Sequence, residues 1–278
     1  MFSLNLTGSF NAVERQLDDG ILLEEWQILP ADPPTQLRKV GDAFWLSASG
    51  VGAIQFNTST RLISAYPQDG IQTRIFERAL VHEWLPLVYQ AWGHQVLHAS
   101  AAVHLSSGIV IAFAGESGSG KSTLGYGLGQ RSDWQQISDD SLAFTIQSGE
   151  VRLLSIPNAV RLRSASARFY GQQAFSHEPL DLPDMDLGLD YVFFVEGNCE
   201  TVSKAGSPGS DVSMDGVQTF LHLIKNAYAL TLKIPEHNER LLRDYLRLAH
   251  QVVAFRLVIH KSFVALNETL DTVERLVH

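Results

Sequence analysis

Apolar residues follow two rhythms along this chain, and the change between them marks out its parts. In the first third they come in short runs or at every second position. Phe44-Trp45-Leu46-Ser47-Ala48 and Val51-Gly52-Ala53-Ile54-Gln55-Phe56 flank Gly50, and Arg61-Leu62-Ile63-Ser64-Ala65-Tyr66 alternates. Runs of this kind predict strands. Pro30, Pro33 and Pro34 punctuate a loop before them. From Ile71 to Trp92 the spacing becomes helical. Ile75, Leu80, Val81, Trp84, Leu85 and Val88 fall on one face, and Pro86 is expected to kink or divide the helix.

Beyond residue 92 strands and helices alternate. Val96–Leu105 and Ile109–Ala114 read as two strands joined by a tight turn at Ser106-Ser107-Gly108. A helix from Ser122 to Gln130 follows, then a strand around Leu142–Thr145. Val151–Ser155 and Val160–Arg163 read as strands separated by Pro157. Gly171–Gly188, with Pro179 and Pro183, reads as a loop or lid, and the polar, glycine-bearing Thr201–Ser210 as a mobile loop. Tyr191–Val195 and Val252–Ile259 are buried-type strands. Asp215–Tyr228 and Pro235–Gln251 are helices, and Asn267–Val277 is a closing helix with Asn267 as its cap. No repeat or low-complexity segment interrupts the pattern. It predicts an α/β fold with a small, mostly β region over residues 1–80 and a larger core over 81–278.

The composition narrows the partners. In 278 residues there are 21 Lys and Arg against 30 Asp and Glu, a formal net charge of −9. A nucleic-acid partner needs a basic field, so none is expected. The single cysteine, Cys199, permits no internal disulfide and suits a reducing compartment. The N-terminus Met1-Phe2-Ser3-Leu4-Asn5 lacks a basic segment and an apolar signal core. No apolar run is long enough to span a bilayer. The expectation is a cytoplasmic protein with no membrane partner. The sequence does not fix the oligomeric state, and a homo-oligomer is compatible with it.

Chemistry concentrates in one stretch. Gly115-Glu116-Ser117-Gly118-Ser119-Gly120-Lys121-Ser122-Thr123 fits G-x-x-x-x-G-K-[ST], the phosphate-cradling P-loop. Its glycines let backbone N–H groups turn inward around a phosphate. Lys121 can reach the β- and γ-phosphates, and the Ser122 hydroxyl can ligate Mg²⁺. A buried-type strand precedes the stretch and a helix follows, whose positive N-terminal end favours phosphate. Asp139-Asp140 comes where a strand would return from that helix. Adjacent carboxylates there can divide two tasks, one against Mg²⁺ and one taking a proton from an attacking hydroxyl. From the residues alone a solvated turn is the plain alternative. His98 lies beside the strand that leads into the loop and reads either as a structural histidine or as part of the site. Arg161 and Arg163, two apart on a strand, share a face and can hold a phosphate or guard a solvated edge. Lys225 is a weaker candidate.

Taken in order, Leu97-His98-Ala99-Ser100-Ala101, Gly115 to Thr123, Asp139-Asp140, and Pro157 with Arg161-Leu162-Arg163 resemble the HPr kinase/phosphorylase-like serine kinases. The nearest likeness is to the shorter HPr-kinase-related proteins, some of them from lasso-peptide pathways. It is strongest from His94 to Arg163. The resemblance implies a P-loop core of the kind shared with phosphoenolpyruvate carboxykinase, Mg-ATP as donor and a serine hydroxyl as acceptor. By position it implies Lys121 and Ser122 at the phosphates and Mg²⁺, Asp139 and Asp140 as base and metal contact, and His98 near the transferred group. Asp139 is taken as the base and Asp140, with Ser122, as the metal contact. Arg161 and Arg163 would neutralise moving charge. A peptide or protein serine is the implied acceptor, a lasso precursor peptide being one such. Where the full HPr kinases carry Glu-Ile-Arg-Gly with a metal-binding glutamate, this chain reads Ser155-Ile156-Pro157-Asn158. HPr itself and a phosphorylase reaction are therefore not implied. A small-molecule kinase and a non-catalytic ATP-binding regulator remain the alternatives.

Overall fold

A computed structural model describes residues 3–26, 34–157, 159–172, 175–180, 182–198, 212–228, 235–260 and 263–277. The chain forms two compact units, Met1–His94 with Ala229–Glu239, and Gln95–Tyr228 with Arg240–His278. The division at Gln95 leaves the helical segment after residue 71 in the first unit, whereas the sequence reading divides the chain at residue 80.

The first unit carries a six-stranded sheet. Its strands are β1 (Ser3–Leu6), β2 (Ile21–Trp26), β3 (Thr35–Val40), β4 (Ala43–Ala48), β5 (Gly52–Phe56) and β6 (Leu62–Pro67), with the short helix α1 (Glu14–Asp18) between β1 and β2. β2 to β6 form an antiparallel meander, and β1 joins its far edge parallel to β6. Leu37, Leu46, Ile54 and Ala65 face one another across four successive strands and are fully buried. Trp45 and Ala53 point the other way, to Phe10, Val13 and Leu17. This is the alternation expected of a sheet covered on both faces. The helical stretch then runs through α2 (Thr73–Arg78), a π-helical segment (Ala79–Trp84) and α3 (Leu85–Ala91). Pro86 does not break it. The wider π turns just before Pro86 relieve the contact that its ring would make with a preceding carbonyl. The indole of Trp92 donates to the Asn57 carbonyl at 2.9 Å and ties the helix end to the β5–β6 loop.

The second unit comprises β7 (Gln95–Leu97), β8 (Ala99–His104), β9 (Val110–Ala114), α4 (Lys121–Gly129), β10 (Trp134–Ser138), β11 (Leu142–Gln147), β12 (Glu150–Leu154), β13 (Ala159–Arg161), α5 (Ser164–Phe169), β14 (Phe175–Pro179), β15 (Tyr191–Asn198), β16 (Val212–Ser213), α6 (Gly216–Lys225), α7 (Pro235–Gln251), β17 (Val253–His260) and α8 (Leu266–Val277). The main sheet has the order β10-β8-β9-β15-β17-β16, with β9, β15 and β17 parallel. One face packs on Leu124 and Leu128 of α4 and on Leu270, Val273 and Val277 of α8. The other packs on Leu223 of α6, on Tyr245 and Leu248 of α7, and on a small sheet of order β12-β11-β7. The α/β expectation therefore holds in this mixed architecture. No helix among the described residues is long and apolar enough to cross a membrane.

Several expectations need correction. The single strand expected over Val96–Leu105 is two strands, broken at His98. β10 stands where none was predicted. β13 ends at Arg161, and Arg163 instead precedes helix α5. Asn267 lies inside α8, which begins at Leu266, and so does not cap it. Part of the expected loop over Gly171–Gly188 is the strand β14, paired antiparallel with β13. Cys199, Asn158 and Thr201–Ser210 lie outside the described residues.

Candidate functional site

Strand direction gathers the site at one edge of the main sheet. β9 is antiparallel to β8, and β8 is antiparallel to β10. β9 and β10 therefore end at the edge where β8 begins. The glycine loop leaves β9 there, Asp139-Asp140 leaves β10 there, and His98 enters β8 there. Ligand sites of α/β sheets gather outside such strand ends.

Pairing leaves a gap at this edge. The ladder between the two long strand segments stops at Leu97 opposite Leu142 and resumes at Ala101 opposite Ser138. His98-Ala99-Ser100 thus stands across from Asp139-Asp140-Ser141, at the seam where both chains pass between the large and the small sheet. Side chains bridge this seam. His98 Nε2 lies 2.7 Å from Asp140 Oδ1, and the Ser138 hydroxyl donates to the Ser141 carbonyl at 2.8 Å. Asp140 has a left-handed backbone, φ 71°, a conformation that aspartate tolerates better than most residues. The twist sends neighbouring carboxylates to different places. Asp139 is fully buried. The side chains of Asp140 and His98 are 25% and 33% exposed.

Asp139 has donors around it. Its Oδ2 accepts the Arg161 backbone N–H at 2.7 Å, and the Ser122 and Ser100 hydroxyls lie beside the carboxylate. Burial pushes its carboxyl up to about 6 and neighbouring Asp140 adds to the rise, while the Arg161 N–H, Ser122 and Ser100 pull the other way.

The loop itself runs from the end of β9 to the first turn of α4. Gly118 and Gly120 have φ 82° and 114°, a region that suits glycine. A Cβ on Gly120 would sit 2.9 Å from Ile259 Cδ1, and one on Gly118 would sit 3.0 Å from the Arg163 guanidinium. Buried Lys121 opens α4 and folds back, donating to the carbonyls of Gly115 at 2.8 Å and Glu116 at 3.2 Å. Burial lowers its pKa; Asp140 and then Asp139 raise it, and Arg163 lowers it. Ammonium, both carboxylates and guanidinium therefore share one electrostatic neighbourhood.

The other expected residues divide. Arg163 reaches the loop, with Nη2 3.3 Å from Ser117 Oγ. Arg161 enters through its main chain at Asp139. The Thr123 hydroxyl turns to Ser166 at 2.8 Å, and Ser119 is buried. Glu116 is exposed and pairs with Lys225 of α6 at 2.8 Å; that partner pulls the Glu116 carboxyl below its ordinary range. Ser155 is exposed and Ile156 buried where the HPr kinase signature would lie. Sequence reasoning missed Tyr228, whose ring stands edge-on to His98 at 5.8 Å. A lone tyrosine just past a helix carries no local signal.

These groups suit a nucleotide with Mg²⁺. The glycine backbone and the helix N-terminus lie together at the sheet edge, with a buried ammonium beside them. Ser122 and Asp139 could supply two oxygen donors, the number Mg²⁺ takes from a protein when phosphates and water complete its shell. Neither a protein-family profile nor a curated protein sequence matches the chain. Among solved structures it is similar to the Hpr(Ser) kinase/phosphatase from Coxiella burnetii, with 12% identity and a TM-score of 0.37, over 66% of this chain and 90% of that one. The relationship is a distant structural one.

Proposed function

We propose that the chain is a Mg²⁺-ATP-dependent kinase that moves the γ-phosphoryl group onto a serine hydroxyl of a peptide or small protein. The observation that carries this reading is the division of the two carboxylates. One is buried against the hydroxyl of the loop serine. The other is half-open to solvent on a histidine, at the same sheet edge. Phosphoryl transfer needs such a division, since it is accomplished mostly by positioning and charge stabilisation.

The roles differ from those read from the sequence. Asp139 meets Ser122, so these two hold Mg²⁺, and Asp140 with His98 takes the proton of the acceptor hydroxyl. The Asp140–His98 pair is partly open to an acceptor, whereas Asp139 is fully buried. The P-loop backbone and Lys121 hold the phosphates. Mg²⁺ would draw charge from the phosphate oxygens. Arg163, over the loop at Ser117, neutralises the equatorial oxygens, with Arg161 fixing Asp139 through its N–H. A peptide ending in serine is the acceptor suggested by the resemblance to lasso-pathway proteins.

The test is phosphoserine formation, followed by mass spectrometry, with Mg-ATP and serine peptides, including peptides ending in serine. Asp140→Asn should slow transfer by about 10²–10⁴. A wild-type rate in Asp140→Asn would remove the base assignment. Transfer to small hydroxyl compounds but to no peptide would replace the acceptor class.

A further inference from the structure

We propose that Tyr228 is a positioning residue, holding the His98–Asp140 pair in register across the seam. The consequence for rate rests on the kinase reading above; the consequence for His98 does not.

Three observations converge on it. First, the segment after α6 pins the chain on both sides of Leu97. The His98 N–H donates to the Asn226 carbonyl at 2.8 Å, the Tyr228 N–H donates to the Val96 carbonyl at 2.9 Å, and Ala227 bridges Leu97. Second, the Tyr228 ring meets the His98 ring edge-on, at 5.8 Å and 61°. This contact restricts the plane of the imidazole while Asp140 takes Nε2. Third, the phenol sits at the back of the Asp140 turn. It donates to the Asp140 carbonyl at 3.4 Å and receives the Ser141 hydroxyl at 3.3 Å. Both bonds are long and each is weak, so the restraint comes from the two together with the ring contact and the backbone pinning.

Direction matters at this place. Asp140 is a non-glycine residue with φ 71°, and such a backbone persists only where the surroundings over-determine it. Ser138 holds the turn from one side through the Ser141 carbonyl. Tyr228 holds it from the other, at Asp140 itself. If the turn relaxed toward the right-handed region, the Asp140 carboxylate would swing off His98. The pair would then be lost.

Tyr228→Phe in the full chain removes only the phenolic hydroxyl and keeps the ring. Two measurements decide the matter. In long-range ¹H–¹⁵N spectra, with His98 assigned by its loss in His98→Gln, wild type should show an imidazole protonated at Nε2, donating to Asp140. Tyr228→Phe should move the ring nitrogens toward the average of the two tautomers. On the serine-peptide assay, kcat should fall about tenfold, with the KM for ATP within twofold. Unchanged His98 resonances overturn the assignment, and so does an unchanged kcat. If wild type phosphorylates nothing, the kinase reading falls and the resonances alone decide whether Tyr228 orients the pair. Should Tyr228→Phe lose nucleotide binding, Ser141→Ala, which removes the hydroxyl that donates to the phenol, is read by the same two measurements.

Discussion

Asp139 is a costly residue, and the cost can be measured. It is fully buried, and its carboxyl titrates at about 6 instead of the ordinary 3.8. Between those values the folded chain holds a proton that the unfolded chain has released. Stability must then fall as pH rises through this window, and the loss is complete above about 6. The step from 3.8 to about 6 corresponds to about 3 kcal/mol at 1.36 kcal/mol per tenfold change in proton affinity. Asp139→Asn removes this penalty. Its amide oxygen can still accept the Arg161 N–H, and about 1 kcal/mol is allowed for a weakened serine bond. The variant should therefore be slightly less stable than wild type at pH 4 and about 2 kcal/mol more stable at pH 7, while losing phosphoryl transfer. Urea unfolding in the presence of a chelator, from pH 4 to 7.5, reads the difference. A variant-minus-wild-type difference that stays flat across this range refutes the reasoning.

Other outcomes follow from the same geometry. Lys121→Ala should lower kcat about 10²–10³-fold by removing the buried ammonium, as judged by steady-state kinetics. Arg163→Ala should slow transfer and leave the His98 resonances unmoved, because its guanidinium lies over Ser117 and not over the Asp140 turn. Gly120→Ala forces a side chain into φ 114° and into Ile259; it should weaken nucleotide binding in calorimetry and lower the melting temperature. Glu116→Ala breaks only the exposed pair with Lys225 and should leave the melting temperature at the wild-type value. A large drop there would mean that the pair holds the loop in place.

The sequence foretold the parts that are local and missed those that depend on register. Gly115 to Thr123 was legible because strand, loop and helix follow one another without a gap. The π segment was not, since Pro86 alone cannot show whether the chain breaks or widens. β10 escaped because Gln135 and Gln136 make Trp134–Ser138 look polar. Yet Gln136 is buried and satisfied, with its amide donating to the Ser100 hydroxyl at 3.1 Å. Without β10, the strand pairing that sets Asp139 and Asp140 across from His98 could not be seen. The two aspartates could be named, but their roles were assigned the other way round from the proposal above, because what separates them is one left-handed residue and a gap of three residues in a ladder. The helical start at Ser164 was masked by the alternation of Val160 to Arg163.

The seam at His98 also has a mechanical meaning. Two sheets of different size meet there along two chain segments, and the ladder between those segments is interrupted over that short span. Any shear of the small sheet against the large one is borne there by side chains, the His98–Asp140 contact and the Tyr228 hydroxyl at the Asp140 carbonyl among them. Strain arriving from either sheet would therefore reach the His98–Asp140 pair, which lies on that span.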